Sequence, residues 1–382
     1  MSKSLSKRKR LVFSAVTVVL ILIVVEGISR VFFLVKPGPG EFVSDLYDLY
    51  SVPDTVCGHA MQPNVELVLR GHPDYTFTVK TSTIPGLPEL GFREESISER
   101  TDIVFIGDSF IWGYGVEQDD VISAVCAREC DFRTVNLAVS GFNGPLNYLG
   151  NLLRVSKLID YDCVIMGFSS QNDLYDASVY KQWRASGSSQ SLVHFVSNRV
   201  PFLKRVDLQM KQRVKLYALV REVAKRLFPS HVYGAVGYTP LSTPAGNIWV
   251  RQAVTRLRRQ GDYLRASPRQ KATWEESIRA VSEAADFVTK RGKRFVLLMI
   301  PKKEEVYLFP EEGSAGLGDC ATNVLAKLFA EQGIEVLNPL PILRSKVQGE
   351  NLLYFPHDGH WTAAAHHIVG EALCAHLRRP IE

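Results

Sequence analysis

The chain has 382 residues, 46% hydrophobic and 22% charged, a composition that fits one large globular domain or two smaller ones and excludes a mainly disordered chain. The formal charge of +5 does not mark a nucleic-acid binder. Five of its cations, Lys3, Lys7, Arg8, Lys9 and Arg10, stand in an acid-free head of ten residues, and without them 40 basic residues face 40 acidic ones.

Behind that head, residues 11–25 read LVFSAVTVVLILIVV, and the hydrophobic pattern continues to Val35. With its flanks the run reaches about the twenty residues that a bilayer core requires. It ends in Val24, Val25 and Glu26, not in the small residues of a signal-peptidase site, so an uncleaved transmembrane signal anchor over 11–35 is expected. The cations of residues 1–10 would hold the head in the cytoplasm and place the rest of the chain outside, in a periplasm or on a cell surface. Residues 36–100, with prolines at 53, 63, 73, 85 and 88, read as an irregular lead-in.

Five short apolar segments follow: IVFI (103–106), TVNL (134–137), CVIMGF (163–168), RFVLLMI (294–300) and IEVL (334–337). Continuous apolar runs of this length fit strands buried on both faces. Helical patterns separate them at 119–130, at 145–159 with Pro145 in the first turn, and at 274–292 closed by Gly292. This alternation predicts an α/β fold with a doubly wound, mainly parallel five-stranded sheet. Residues 101–180 and 290–382 would form that domain, and 181–289 a basic helical insertion.

The insertion holds fifteen Lys or Arg between 181 and 260 against Asp207 and Glu222. Within it, KQRVKLYALVREVAKRLF (211–228) has an apolar stripe at Leu216, Leu219, Val220, Val223 and Leu227, which predicts a basic amphipathic helix. Such a helix packs on its domain with a solvated basic face, lies on anionic lipid, or attracts an anionic glycan. The stretches 186–189 and 237–246 read as loops. Six cysteines, at 57, 126, 130, 163, 320 and 374, permit disulfides in an exported chain, but Cys126 and Cys130 lack the partners of a zinc site and read as buried thiols.

In doubly wound sheets ligands sit beyond the carboxyl ends of the strands. Gly107, Asp108 and Ser109 follow the first strand, Gly141 the second and Asn172 the third, while Asp358 and His360 precede a final helix capped at Thr362. Gly-Asp-Ser at 107–109, Gly141, Asn172 with Asp173, and Asp358 with His360 are, in order, the four blocks of the SGNH (GDSL-like) hydrolases, which this chain resembles over roughly 100–180 and 290–378. The resemblance implies a flavodoxin-like sheet, action on ester bonds, and no cofactor or metal.

A serine hydroxyl needs a neighbouring base to act as a nucleophile, which points to His360 for Ser109, with Asp358 to orient the imidazole and stabilise its cation. The resemblance implies an oxyanion hole built from the backbone amides of Ser109 and Gly141 and the side-chain amide of Asn172. Asp108 reads as a turn-holding residue. Trp112 and Trp361 either line an acyl pocket or fill the core, and His366, His367 and His376 pack or face solvent in the last helix. Many relatives place the acid three residues before the histidine, where this chain has His357. Asp-Gly-His-Trp at 358–361 instead resembles the Asp-x-His-Trp form of a branch that includes polysaccharide O-acetyltransferases.

The expected function is therefore ester hydrolysis through an acyl-enzyme, on O-acyl groups of a cell-envelope carbohydrate or lipid, in a protein held to the membrane by its N-terminal helix and without nucleic-acid partners. The alternatives are a membrane-associated polysaccharide O-acetyltransferase using the same residues, and a catalytically idle carbohydrate-binding module.

Overall fold

A computed structural model describes residues 7–35, 51–187 apart from 70, 71, 73 and 171, then 191–197, 238–251, 268–308 and 320–379, with isolated positions between 199 and 228. The basic amphipathic helix expected at 211–228 lies for the most part outside the described residues, as does most of the insertion around it.

The apolar run forms α1 (Lys7–Val35). Phe13, Leu20, Ile21, Ile23 and Ile28 on it are each more than half exposed. Among the described residues no helix is long and apolar enough to cross a membrane, so the expected transmembrane span is not supported by this fold.

Residues 51–92 are more regular than the expected lead-in. They form β1 (Ser51–Asp54), β2 (Gly58–Met61), β3 (Glu66–Leu69), β4 (Phe77–Lys80), β5 (Ser82–Ile84) and β6 (Leu87–Phe92). The first, second, fifth and sixth make an antiparallel sheet in the order β1-β2-β6-β5, and β3 pairs with β4. Strands of three to six residues interrupted by Pro and Gly give too short an alternation to read locally.

The central sheet contains β7 (Ile103–Ile106), β8 (Thr134–Asn136), β9 (Cys163–Ser169), β12 (Arg294–Ile300) and β13 (Val336–Leu337), in the order β13-β12-β9-β7-β8 with every pairing parallel. Numbered by their own succession the strands run 2-1-3-4-5, the flavodoxin-like order. Between β9 and β12 the insertion adds an antiparallel hairpin, β10 (Thr239–Thr243) with β11 (Gly246–Val250), where a loop was expected from 237 to 246. The Pro-Ala-Gly stretch of that sequence is only its turn.

Helices cover both faces of the sheet, which is why its strands carry no polar side. Ile103, Phe105, Ile165, Val296 and Leu298 point to one core, shared with Ile122 and Cys126 of α3 (Ile122–Cys130) and with Val369 and Leu373 of α11 (Ala363–Leu377). The alternating residues Val104, Ile106, Val164, Met166, Leu297 and Met299 point to the other. They meet Leu152 of α4 (Pro145–Val155), Val281 of α7 (Pro268–Thr289) and Phe329 of α9 (Ala321–Glu331). Each fully buried aliphatic side chain contributes about 1.5–3 kcal/mol.

Cys130 does not remain a thiol. It is bonded to Cys374, joining α3 to α11 across 244 residues of sequence. Cys126 Sγ lies 3.9 Å from Cys374 Sγ. These three sulfurs are a possible ligand group among the described residues, but a disulfide offers no thiolate to a metal, and one thiol remains. Non-reducing digestion should release a linked pair of peptides containing Cys130 and Cys374, and Cys374→Ser should lower unfolding stability by about 2–4 kcal/mol. A free, alkylatable Cys130 in the folded, air-exposed protein would contradict this.

Candidate active site

The strand order reverses between β7 and β9, and ligands in such sheets bind beyond the carboxyl ends at that point. β7 is followed at once by Gly107, Asp108 and α2 (Ser109–Trp112). Asp108 caps this short helix, its Oδ1 accepting the Phe110 amide at 2.9 Å, the turn-holding role expected of it. Gly107 is required by space: a Cβ there would lie 2.6 Å from Ile111 Cγ1, because α2 folds tightly back on the strand. Together these place Ser109 at the mouth of the sheet.

From the other side comes the loop that links Tyr354 to Trp361, residues that form an antiparallel bridge. The amide of Phe355 donates to the His360 carbonyl at 3.1 Å and closes the loop around Asp358. Asp358 Oδ1 accepts both the backbone amide of His360, at 2.8 Å, and its ring Nδ1, at 2.5 Å. With Nδ1 carrying the proton, Nε2 is left to accept from a hydroxyl. Ser109 Oγ lies 2.7 Å from it. Three residues that sequence reasoning placed together thus form one line of hydrogen bonds, with the two loop side chains each about one-fifth exposed.

Burial works against charge on both His360 and Asp358, but their mutual attraction and hydrogen bond outweigh it. The Asp358 carboxyl is held well below the usual carboxylate range, and the imidazole is raised above its ordinary value. The ring of His360 packs against Phe110 and Tyr114, with centroids 4.9 Å away in each case.

Gly141 follows β8 with φ of 117°, a backbone conformation that favours glycine. Asn172 stands at the N-cap position of α5 (Asp173–Ala185) but makes no side-chain cap hydrogen bond. Its Nδ2 instead donates to Asp176 Oδ2 at 2.9 Å, with Asp173 Oδ1 more distant at 3.5 Å. Burial pushes the Asp176 carboxyl up to about 7, against the Asn172 hydrogen bond. Asp173 is wholly buried and structural: its carboxylate accepts the Ser169 amide at 2.8 Å and the Tyr148 hydroxyl at 2.9 Å.

Trp112 and Trp361 are completely buried and pack in the core, so neither is the wall of an open pocket. Trp112 lies under the Arg93 guanidinium, and Trp361 meets Phe110 edge-on at 5.4 Å. His366 is buried, with Nδ1 accepting the Ile122 amide at 3.3 Å, and burial pushes its pKa down to about 3. His367 and His376 pair with Asp120 and Glu335.

Other contacts had no local signature. Asp74 binds His357 twice, accepting its amide at 2.7 Å and meeting its Nδ1 at 2.6 Å. Tyr75 donates to Asp358 Oδ2 at 3.4 Å. Both come from the segment between β3 and β4, 283 residues away in sequence, and only the tertiary fold reveals them.

Residues 259–381, about a third of the chain, match the family described as the SGNH hydrolase-like domain of the acetyltransferase AlgX. This part of the chain is similar to the SGNH hydrolases. Asp358 and His360 lie inside the matched span, while Ser109, Gly141 and Asn172 precede it. Among solved structures, a lipolytic protein of the G-D-S-L family from Veillonella parvula DSM 2008 is similar over 73% of this chain and 99% of its own, at 10% identity and a TM-score of 0.35. No curated protein matches. The match supports the general class of esterases and acyltransferases.

The raised imidazole has a kinetic sign. A base must be neutral, so kcat/KM toward an ester should rise with pH through a midpoint above that of a free imidazole. Asp358→Asn removes the charge that raises it: the midpoint should move to lower pH while the plateau falls by roughly 10³–10⁴. A midpoint that stays or moves upward in a folded Asp358→Asn variant would assign the acid elsewhere.

Proposed function

We propose that this protein cleaves an ester through a covalent acyl intermediate on Ser109, with His360 as general base and acid and Asp358 as its orienting carboxylate. The observation that carries the reading is the hydrogen-bonded series Ser109–His360–Asp358 at the switch point of the sheet. His360 Nε2 takes the hydroxyl proton as Ser109 Oγ attacks the acyl carbon. The amides of Ser109, Gly141 and Asn172 receive the developing oxyanion, and the imidazolium, held by Asp358, returns its proton to the departing alkoxide. In the second half His360 deprotonates the acceptor, whose oxygen attacks the acyl carbon and releases Ser109.

If the acceptor is water the protein is an ester hydrolase, acting on O-acyl groups of a cell-envelope carbohydrate or lipid. A second reading makes the acceptor a sugar hydroxyl. It is favoured by the acetyltransferase description of the matching family and by the Asp358-x-His360-Trp361 spacing. In both readings we place the reaction outside the cytoplasm, with α1 as a membrane anchor. The cationic head, the apolar run of α1 and the Cys130–Cys374 disulfide support that placement, since disulfides persist in oxidising compartments.

Ser109→Ala and His360→Ala should each abolish turnover of p-nitrophenyl acetate and labelling by a fluorophosphonate, with the double variant hardly worse than either single one, because such residues act as a unit. Asn172→Ala should lower kcat by roughly 10²–10³. Adding an oligosaccharide acceptor distinguishes the readings: acetyl appearing on sugar faster than free acetate forms identifies the transferase. Turnover that survives Ser109→Ala would defeat both.

A further inference from the structure

Two consecutive lysines follow β12, and both are buried, although nothing in the acyl chemistry calls for them. Lys303 opens α8 (Lys303–Tyr307) and is 3% exposed. A buried ammonium is costly unless its donors are met. Here two of the three are met by backbone: Nζ donates to the carbonyls of Phe355, at 2.9 Å, and Pro356, at 3.2 Å. The Pro356 carbonyl accepts a second bond from the Trp249 amide at 2.9 Å. Phe355 and Pro356 are the root of the loop that carries Asp358 and His360, so the cation grips the loop just before both functional side chains.

Lys303 also acts through its field. Asp358, Glu304 and Asp74 attract its charge, while burial outweighs them and pushes its pKa down to about 8. His360 is faced by Asp358 and Asp108, whose negative charges favour its cation, by Lys303, which opposes it, and by His366 on α11. The uncharged rings of Phe110 and Tyr114 also pack on it. His72 and the Tyr75 hydroxyl act on Asp358 from the segment between β3 and β4. Of these groups only Lys303 combines a hydrogen-bonded hold on the loop backbone with a positive charge that disfavours the His360 cation.

We propose that Lys303 is a positioning residue of the active site: its ammonium fixes the Phe355 and Pro356 carbonyls, and its charge opposes premature protonation of His360. This rests on the Ser109–His360–Asp358 reading given above. A lysine that only filled space or stabilised the fold would leave the titration of His360 unchanged when replaced.

The test compares the full-length wild type with Lys303→Met and Lys303→Arg. The pH dependence of p-nitrophenyl acetate turnover is measured together with the ring titration of His360 by NMR, which requires no turnover. In Lys303→Met the His360 midpoint should move to higher pH, on the order of half a unit, with the acid limb of kcat/KM following it and the plateau falling about tenfold or more. Lys303→Arg keeps a charge and donors to carbonyls, so its midpoint should stay at the wild-type value while part of the plateau returns. An unmoved midpoint in folded Lys303→Met overturns the proposal. If thermal denaturation shows that variant to be unfolded, Lys303→Gln, which is neutral but can still donate to the Phe355 and Pro356 carbonyls, takes its place: a midpoint raised above the wild-type value supports the proposal, and an unmoved one overturns it. Turnover that proves independent of Ser109 defeats the triad reading, while the NMR titration still settles the action of Lys303 on His360.

Discussion

With β7 and β9 paired in parallel, Ile106 opposite Met166, the two chains leave the sheet side by side, and the rest of the site depends on that. One exit carries Gly107 to Ser109 and the other carries Ser170 to Asn172. The Ser109 hydroxyl and the Asn172 amide are thereby brought to one edge without any long-range loop having to find its place. The pairing itself is enforced by burial on both faces, because a slip of one residue would exchange the side chains of the two cores. What the sheet does not supply is the imidazole. His360 arrives on a loop from the other end of the chain, and it must be held to within a few tenths of an ångström of the geometry that hydrogen bonding to Ser109 demands.

That hold comes from buried charges bound to backbone. Arg93, at 1% exposure, donates to the carbonyls of Trp112, Gly113 and Val116, so it grips the turn behind α2. Lys303 does the same to the loop of the base, and Asp74 takes the His357 amide from the opposite side. Burying these ions is unfavourable, and burial pushes the Arg93 guanidinium down to about 9. The cost is offset because Arg93 and Lys303 each bind two or more backbone carbonyls, and Asp74 binds both an amide and an imidazole. The strands of residues 51–92 are therefore more than a lead-in: Arg93 directly follows β6, and Asp74 and Tyr75 directly precede β4.

Legibility in the sequence followed the range of the interaction. IVFI and RFVLLMI could be read as strands to the residue, because burial on both faces leaves an uninterrupted apolar run. IEVL shrank to Val336–Leu337, since an edge strand pairs on one side only and its ends fray. The helix expected from 119 begins at Ile122, after a single 3₁₀ turn at Gln118–Asp120. Ser109, Asp358 and His360, which the structure brings into one hydrogen-bonded series, could be singled out because acyl chemistry restricts which residue types serve it. Asp74, Tyr75 and Lys303 were not, because a buried charge on a carbonyl or an amide leaves no pattern near itself. Trp112 and Trp361 were undecidable for a related reason: an aromatic beside a motif has the same local appearance in a pocket wall and in a core.

The spacing of the acid has a physical consequence of its own. An aspartate two residues before a histidine can reach that residue's backbone amide, and Asp358 Oδ1 does so while also meeting Nδ1 of the same ring. The acid is thus oriented by the residue it orients, within a single turn of chain, and little rotamer freedom is left to either. An acid at position 357 would be one residue further back, and here that position is occupied by a histidine whose ring and amide are both bound to Asp74. The loop therefore contains two successive Asp–His pairs with different partners: the local pair, Asp358 with His360, faces Ser109, and the long-range pair, Asp74 with His357, ties the loop to the segment between β3 and β4. Shifting the acid to 357 would require both to be rebuilt, so the departure from the commoner spacing is a property of the whole loop and not of one residue.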